Sequence, residues 1–600
     1  MAGSIGKPSV NADSSTSARS KVANRWKNVN YKKLGEDIVV TDTRAKREET
    51  NAGMKVESQD IEVVVLDSDS DEGSQDDTSI EEQVLKESSA AADATANPRK
   101  LDDKEKVKID SILYESDYCF KLMRSTVYDS QYETMSNEQK SYFITTDDIF
   151  NDPKLSSTFL FSYQYDMNFI LSCFHKDLSD ITMVMQRGCI VPLDIKAPEK
   201  LQRLHDKIKY VEVDMPSYTS HHSKMILNFY SDKSMRIFMP SNNFTEAEIT
   251  YPQQVCWCSP KLRAFGDKKL VDDIDDASCF RAELFEYIGR YRHYLFTQRL
   301  IGDLSNYDFS SLNGLHFLFS TPRRFAALDS NNKNTCDEES GLVKFGSVVR
   351  RVESDNTKIN KIKKRHYLVQ TSSIGTKRLQ GKQLFTGFMI PNLTSSKNVC
   401  GHILYPTLQE VCDSPASLLS GGWFHFNYND YSEPYISMKK QNLFVKQNPI
   451  ATSIERRATP SHSKFYMKWT SDDENDVSIP DTPVDWCLYT SANLSIAAWG
   501  TDVKSATNFE VGVLIPGPIN VFSFVDLIYK ATKGTRLGTS DDQGAHIMRD
   551  STRSTVIVPF PKSLVPYSYT DNDKPTNVAL LDKIRDRVRR LQEEASLTGP

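Results

Sequence analysis

One short pattern of histidine, lysine and asparagine occurs twice, in the same order, in this chain of 600 residues. The residues of the two copies are His222, Lys224 and Asn243, then His462, Lys464 and Asn493. In each copy the motif is His-x-Lys, followed at the distance of a hairpin by Ser-x-Asn. One His-x-Lys alone carries little information. Two copies that are each followed by Ser-x-Asn indicate an internal repeat that carries a site.

The residue types and their spacing suit chemistry on a phosphate group. Side chains at positions i and i+2 of a β-strand share a face, so each histidine lies beside its lysine. Two such half-sites facing each other would surround one pocket with two imidazoles, two ammonium groups and two amides. One histidine as nucleophile and the other as general acid would cleave a phosphodiester. The pattern does not indicate zinc, because lysine is not a ligand, and we expect neither a metal nor a cofactor.

The register of the pattern is open at two places. His221 precedes His222, and adjacent residues of a strand face opposite ways. We therefore interpret His222, which is in register with His462, as active and His221 as structural. Asn242 precedes Asn243, and only Asn243 keeps the Ser-x-Asn spacing of the second copy. The sequence does not separate these two asparagines.

The elements that must position these side chains alternate between strands and helices. Strands are predicted over 181–185, 210–213, 224–230, 235–239, 315–319, 485–490 and 506–516. Helices are predicted over 281–296 and 582–594. This alternation predicts two α/β domains, 155–310 and 311–600, preceded by a poorly defined lead-in over 109–154.

Residues 1–108 are polar and nearly free of aromatic side chains, which predicts a disordered tail. Within it, residues 61–66 form a β-branched run and 67–72 are acidic. Such a run can add a strand to the edge of another protein's sheet. It resembles a SUMO-interaction motif, whose contact residues would be Val63, Val64, Val65 and Leu66. The basic stretch 19–33 is compatible with a nuclear address or with a solvated tail.

Composition excludes several classes of protein. The formal net charge is −6, so a site for a polyanion must be a local basic patch. The ten cysteines form no Cys-x-x-Cys pair, which argues against a zinc module and a disulfide framework. No apolar run approaches the ~20 residues of a membrane span. We expect a soluble monomer that does not bind membranes.

The duplicated motif resembles the phospholipase D superfamily, and within it the tyrosyl-DNA phosphodiesterase family in a fungal-like form. Phe229 and Trp469 stand where the wider superfamily has an aspartate, as is typical of that branch. Further matches lie at 491–500 and 510–514, and the resemblance runs from about residue 155 to about 575. It implies an α/β fold of two pseudo-repeat α/β/α sandwich domains that share one active site.

The resemblance also implies a function. The protein would be a nuclear DNA-repair enzyme that hydrolyses the 3′-phosphotyrosyl bond between DNA and a topoisomerase I peptide, and other 3′ blocking groups. His222 would attack phosphorus and form a phosphohistidine, and His462 would act as acid and then as base, leaving a 3′-phosphate. The groups that stabilise the charge would be Lys224, Lys464, Asn243 and Asn493. Glu510 would orient the nucleophilic histidine. Gln254, or Gln253 if the register slips by one, would position the other.

Substrate contacts are expected at Tyr218, Ser241, Ser373, Thr376 and Ser495. Lysines and arginines between 358 and 378 predict a local basic cluster for DNA next to the Ser- and Gly-rich segment 370–376. Thr576 stands where the family would have a tryptophan, which leaves contacts on the peptide side open. Two alternatives remain: a phospholipase or phosphatidyltransferase of the same superfamily, and a non-catalytic scaffold for DNA ends and SUMO-modified partners.

Overall fold

The computed structural model describes residues 113–577, apart from 126–128, 130–131, 216–218, 267–278, 326–339, 355–362, 448–458, 472–476 and 531–553, together with 579–584, 586 and 590. The predicted tail with its SUMO-interaction motif lies outside the described residues, and so does Tyr218. Among the described residues, no helix combines the length and the apolar character that crossing a membrane requires.

The first half is built on a nine-stranded sheet in the order β2-β1-β10-β9-β8-β3-β5-β7, with β11 beside β9. The strands of this half are β1 Cys119–Met123, β2 Phe143–Ile144, β3 Leu155–Phe161, β4 Tyr165–Asp166, β5 Asp180–Gln186, β6 Ile190–Val191, β7 Ile208–Val213, β8 Met225–Tyr230, β9 Ser234–Pro240, β10 Val255–Cys258 and β11 Leu262–Arg263. β4 and β6 pair separately with each other. Strands β1 and β2 show that the lead-in, for which the sequence pattern defined no structure, contributes to this sheet.

The second half is built on an eight-stranded sheet in the order β12-β18-β17-β16-β13-β14-β15, with β19 beside β18. Its strands are β12 His316–Ser320, β13 Lys364–Gln370, β14 Val399–Leu404, β15 Phe444–Val445, β16 Phe465–Ser471, β17 Val484–Thr490, β18 Glu510–Ser523 and β19 Ser554–Val558. The run β10-β9-β8-β3-β5-β7 of the first sheet corresponds to β18-β17-β16-β13-β14-β15 here. In both runs the last two pairings are parallel and the others antiparallel. The predicted pseudo-repeat is therefore present in the topology.

Helices connect and cover the strands. The α-helices are Asn137–Lys140, Thr146–Phe150, Met167–Ser172, Glu199–His205, Glu246–Thr250, Cys279–Gly289, Tyr294–Leu304, Gly341–Ser354, Ile390–Leu393, Leu408–Asp413, Leu418–Gly421, Glu433–Lys440 and Ile496–Trp499. Short 3₁₀ turns occur at Tyr132–Thr134, Ser310–Leu312 and Arg323–Phe325, and π-helical turns at Phe385–Met389 and Asp526–Lys530. Residues 579–584, at the start of the predicted C-terminal helix, are also helical.

The single helix predicted over 281–296 is wrong, because the chain forms two helices with a break between them. At the break, Nδ1 of His293 accepts a hydrogen bond from the backbone N–H of Phe296 at 3.2 Å and caps the second helix. The hydroxyl of Thr297 donates to the carbonyl of Tyr291 at 2.9 Å. Side-chain capping by His293 thus begins a second, separate helix.

Every predicted strand is present, but the one predicted over 506–516 begins only at Glu510. The backbone N–H groups of Thr507 and Asn508 donate to the carbonyl of Ala497, at 2.8 and 3.0 Å, and hold these residues in a loop. The alternation of apolar residues signalled the strand, but it did not show that a carbonyl from another element would occupy its first N–H groups.

The two sheets share a core. On β8, Met225 and Leu227 enter an apolar cluster that also receives Phe465 of β16. The alternate residue Ile226 faces a core of the first half alone, and Tyr466 faces a core of the second half. Each sheet is thus buried on both faces, and the shared core fixes the position of one half relative to the other.

Replacement of Tyr489 by phenylalanine tests this shared core. The buried Tyr489 hydroxyl of β17 lies 2.9 Å from the carbonyl oxygen of Met239 and 2.7 Å from that of Val255, both in the first sheet. We expect Tyr489→Phe to lower the free energy of unfolding by about 1–2 kcal/mol, the usual cost of a lost buried hydrogen bond, measured by urea denaturation. Tyr431→Phe is the control because Tyr431 is 90% exposed. Equal stability of the two variants would contradict this expectation.

Candidate active site

Each loop that carries one of the two histidines is hydrogen-bonded to the backbone of the other half. His222 lies just before β8, and its backbone N–H donates to the carbonyl of Phe509, which precedes β18 in the other half, at 3.0 Å. His462 lies just before β16, and its N–H donates to the carbonyl of Gln253, which precedes β10, at 2.9 Å. The backbone therefore brings the two His-x-Lys motifs to one interface.

A carboxylate from the second half holds the ring of His222. Nδ1 of His222 lies 2.8 Å from Oε2 of Glu510, which is the first residue of β18. The same oxygen accepts the hydroxyl of Ser491 at 2.5 Å, and Oε1 accepts the side-chain amide of Asn508 at 3.3 Å. Because an ionised carboxylate only accepts hydrogen bonds, the proton of His222 resides on Nδ1. Nε2 then carries the lone pair and can attack an electrophile.

Burial and charge act in opposite directions on this pair. Burial lowers the pKa of His222 to about 4, although the charge of Glu510 acts to raise it. Burial raises the pKa of the Glu510 carboxyl, but His222 and Lys224 outweigh it and hold that pKa below its usual value. At neutral pH the structure therefore supplies a neutral imidazole beside an ionised carboxylate.

The second histidine is held by an amide of the first half, which presents a donor to its ring. Nδ1 of His462 lies 3.3 Å from Nε2 of Gln254. The Gln254 amide is anchored at both ends, since Ser241 donates to its Oε1 at 2.6 Å and its Nε2 donates to the backbone carbonyl of Glu248 at 2.8 Å. Gln254 occupies Nδ1, so proton exchange with a substrate falls to Nε2. The structure places the side chain of Gln254 and the backbone carbonyl of Gln253 against His462.

Both lysines are buried and fixed by their own histidines. Nζ of Lys224 donates to the carbonyl of His222 at 2.9 Å, and Nζ of Lys464 donates to the carbonyl of His462 at 2.5 Å. Lys224 is 1% exposed and Lys464 is fully buried. Two positive charges are thus held at the histidines before any substrate binds.

The two asparagines are oriented by their carbonyl oxygens. Oδ1 of Asn493 accepts hydrogen bonds of 3.1 Å from the hydroxyls of Thr371 and Ser372 and from the N–H of Ser373. Oδ1 of Asn243 accepts the hydroxyl of Ser162 at 3.1 Å. Ser162 and Ser372 follow β3 and β13, which are equivalent strands, so each asparagine directs its Nδ2 donor away from these anchors.

The neighbouring residues with an open register take other positions. The side-chain amide of Asn242 donates to the backbone carbonyl of Asn243 at 2.8 Å, so only Asn243 reproduces the arrangement of Asn493. The ring of His221 is fully buried, with Nε2 2.7 Å from the hydroxyl of Tyr291 and Nδ1 3.3 Å from the carbonyl of Ser162. His221 thus faces the interior of the first half.

The residues expected to contact substrate divide into two groups. Ser373 and Thr376 are partly exposed. The N–H of Ser373 donates to Asn493, and Ile374 bridges to Leu494. Ser241 and Ser495 use their hydroxyls inside the protein. Ser241 donates to Gln254, and Ser495 caps a helix by accepting the N–H of Ala498 at 3.1 Å. For these two serines the structure shows positioning contacts within the protein.

Thr576 is fully buried at the end of the second half. Its hydroxyl donates to the carbonyl of Pro406 at 3.0 Å, and its own carbonyl accepts the hydroxyl of Tyr405 at 3.3 Å. This residue holds the C-terminal segment against the loop after β14. A contact between its side chain and a bound peptide would require that segment to move.

The structure divides the basic cluster predicted beside segment 370–376, because two of its members lie at the other end of β13. Lys364 and Arg365 stand at the start of β13, and the segment follows the end of that strand. Six residues of extended chain at about 3.3 Å each separate the two by ~20 Å. Lys377 and Arg378 continue directly from the segment, and Arg378 pairs with Glu433 at 3.6 Å. Lys358 and Lys361 lie outside the described residues.

Sequence reasoning missed three residues of the site. The ring of Tyr163, which follows β3, lies 6.4 Å from the ring of His222. Ser491 contacts Glu510, and Glu248 contacts Asn243. The sequence could have indicated Ser491, since it is the serine of the second Ser-x-Asn motif and corresponds to Ser241 of the first. Tyr163 and Glu248 belong to no repeated motif, and the fold alone brings them to the site.

Both the sequence and the fold are similar to those of tyrosyl-DNA phosphodiesterases. Residues 121–568 match the sequence profile of the tyrosyl-DNA phosphodiesterase family. Tyrosyl-DNA phosphodiesterase 1 of Saccharomyces cerevisiae is 33% identical over 488 residues, which covers 76% of this chain and 83% of that protein. A probable tyrosyl-DNA phosphodiesterase of Schizosaccharomyces pombe is 24% identical over 468 residues, covering 66% and 82%. The crystal structure of the yeast tyrosyl-DNA phosphodiesterase superposes with a TM-score of 0.61 at 32% identity, covering 77% of this chain and 99% of that one.

Titration of His222 tests the electrostatics of the site. We expect its ring to remain neutral as the pH falls from 6.5 until it approaches 4, because burial disfavours the cation. Glu510→Gln removes the negative charge that raises the pKa, so the midpoint falls further. Nitrogen NMR of ¹⁵N-histidine-labelled protein measures both midpoints, with His222→Asn to assign the signal. A midpoint near 6.5 in the unmodified protein would contradict the buried geometry.

Proposed function

Because this chain belongs to the tyrosyl-DNA phosphodiesterase family, a family of phosphoric diester hydrolases, we propose that it hydrolyses the 3′-phosphotyrosyl bond between DNA and a topoisomerase I peptide. The observation that carries the proposal is the unequal pair of histidine partners. His222 contacts the carboxylate of Glu510, and His462 contacts the neutral amide of Gln254. This difference assigns a role to each histidine.

In the first step Nε2 of His222 attacks phosphorus. The P–N bond forms while the bond from phosphorus to the tyrosine oxygen breaks, and an imidazolium at His462 gives its Nε2 proton to that oxygen. The ring of His222 becomes positive when it is phosphorylated, and the adjacent carboxylate of Glu510 stabilises that charge. The tyrosine leaves as a neutral phenol, and His462 becomes neutral.

In the second step water attacks the phosphohistidine. Neutral His462 takes a proton from this water at Nε2, the P–N bond breaks, and the products are a 3′-phosphate and the original His222. His462 must gain and lose a proton in each cycle. A neutral partner such as Gln254 suits this exchange, because its amide can present Nε2 to an unprotonated Nδ1, as in the structure, and Oε1 to a protonated Nδ1 after turning over. A carboxylate at the same place would retain the proton more strongly.

The buried ammonium groups and the asparagine amides supply the electrostatic part of catalysis. Negative charge grows on the non-bridging oxygens of phosphorus in both transition states. Lys224 and Lys464 are already desolvated and fixed, so their charges stabilise these oxygens without reorganisation. Asn493 is held at its carbonyl oxygen by three donors, which leaves its NH₂ group to donate. We propose that this cage needs no metal ion and also accepts other 3′ blocking groups.

We propose that the protein is a monomer that acts on DNA in the nucleus. Both half-sites belong to one chain, which supports a monomeric enzyme. Ser373, which contacts Asn493, and the nearby Thr376 are both partly exposed, which supports phosphate contacts along DNA. The basic stretch 19–33 and a DNA substrate support a nuclear location. For Tyr218, which lies outside the described residues, we propose stacking on a base.

The first experiment uses a single-stranded oligonucleotide that ends in 3′-phosphotyrosine, with EDTA present. We expect the unmodified protein to release the 3′-phosphate. His222→Ala should lower the rate by at least about 10³-fold, since it removes the nucleophile. His462→Asn should accumulate a denaturant-stable protein–DNA adduct, because a phenol of pKa about 10 can leave without full protonation but the adduct then lacks its general base. Denaturing gels measure cleavage and adduct together.

Four outcomes would overturn parts of this mechanism or the proposed function. Cleavage by His222→Ala would remove the nucleophile assignment, and an adduct on His462 would reverse the two roles. Tight binding of the oligonucleotide without cleavage would favour the non-catalytic scaffold. If the protein neither cleaves nor binds it, lipid phosphodiesters are the next substrates.

We also propose that the tail binds SUMO through Val63, Val64, Val65 and Leu66. The support is the β-branched run followed by acidic residues, which suits pairing at a sheet edge with a basic rim. Isothermal titration of the full chain with SUMO should give a measurable Kd. Replacement of all four residues by alanine should abolish it, while cleavage of the oligonucleotide is unchanged. Equal binding by both chains would refute the assignment.

A further inference from the structure

The two Ser-x-Asn motifs lead into equivalent short helices. These helices are Glu246–Thr250 and Ile496–Trp499. Thr245 and Ser495 cap them, and each hydroxyl accepts the N–H three residues further on, from Glu248 at 3.4 Å and from Ala498 at 3.1 Å. Glu248 and Ala498 therefore occupy the same place in the repeat. A buried carboxylate stands in one half-site where the other has a methyl group.

The carboxylate of Glu248 binds the catalytic asparagine twice. Oε2 accepts the backbone N–H of Asn243 at 2.6 Å, and Oε1 accepts its Nδ2 at 2.7 Å. A glutamate at this position of a helix commonly returns to the N–H of the capping residue, but here it reaches Asn243 instead. The backbone carbonyl of Glu248 also accepts Nε2 of Gln254, which contacts His462. One buried residue thus touches the supports of both half-sites.

These contacts fix the orientation of the Asn243 amide. Ser162 holds its Oδ1, and Glu248 holds one proton of its Nδ2. Since an amide is planar, the direction of the second Nδ2 proton is then determined. Asn493 reaches a fixed orientation by another route, through three donors to its Oδ1. The second half-site therefore needs no carboxylate at Ala498.

We propose that Glu248 is a positioning residue, which aims the second Nδ2 proton of Asn243 at a non-bridging oxygen of the phosphate. This inference rests on the proposed function, because it names how one donor of the same site is oriented. It implies that Glu248 acts through Asn243 and contributes mainly in the transition state, where charge on that oxygen is largest.

Glu248→Gln tests the proposal, with Glu246→Gln as the matched control. Glutamine presents an NH₂ group toward one of the two N–H donors of Asn243, which releases the amide. We expect kcat for the 3′-phosphotyrosyl oligonucleotide to fall about 10–100-fold, the usual effect of losing such a support, while KM changes much less. Glu246 lies exposed on the same short helix, so Glu246→Gln should keep the kcat of the unmodified protein.

A double-mutant cycle separates positioning from general damage. In an Asn243→Ala background, Glu248→Gln should cause no further loss of kcat, because its target is gone. Ser162→Ala, which removes the other anchor of Asn243, should show the same dependence, and it replaces Glu248→Gln if thermal unfolding shows that variant to be misfolded. Additive losses, or a Glu248→Gln enzyme with unchanged kcat, would overturn the inference. Failure of the unmodified protein to cleave the oligonucleotide would instead overturn the proposed function.

Discussion

The exchange of partners between the halves is the constraint on which the rest of the site depends. The ring of His222 is oriented by Glu510 of the second half, and the ring of His462 by Gln254 of the first. Backbone hydrogen bonds to the carbonyls of Phe509 and Gln253 repeat the exchange. The apolar cluster shared by both sheets keeps these distances short. Neither half contains a complete site. The packing between the two sheets is therefore required for the site to form.

Preorganised charge follows from that packing. The interface excludes water from two lysines, two histidines and a carboxylate, which would be costly if any were unpaired. Each lysine is instead bonded to the carbonyl of its own histidine, and Glu510 is shared between His222 and Ser491. The stable interface thus keeps the positive charges of the two lysines in place. Such fixed charges stabilise negative charge that develops on a phosphate during substitution.

The sequence predicted much of this arrangement because the repeat has two independent signals. Apolar alternation located seven strands, β5, β7, β8, β9, β12, β17 and β18, and the duplicated His-x-Lys with Ser-x-Asn located six residues that the structure gathers at one interface. It did not predict contacts that arise between elements. The break before Tyr294 depends on capping by His293, and the separation of Lys364 from segment 370–376 depends on the length of β13. Glu248 had no signal, because its equivalent in the other half is Ala498 and the repeat therefore conceals it.

The partial symmetry of the two half-sites has a consequence for how a substrate lies in the pocket. Two identical halves would present a phosphodiester with two interchangeable nucleophiles, and the DNA and the peptide could enter either way round. The carboxylate at His222 and the amide at His462 make the halves chemically unequal while their backbones still correspond. Under the proposed mechanism the two halves therefore have a polarity: the nucleic acid and the departing tyrosine would each occupy one side of the pocket, and the reaction would have one direction in space.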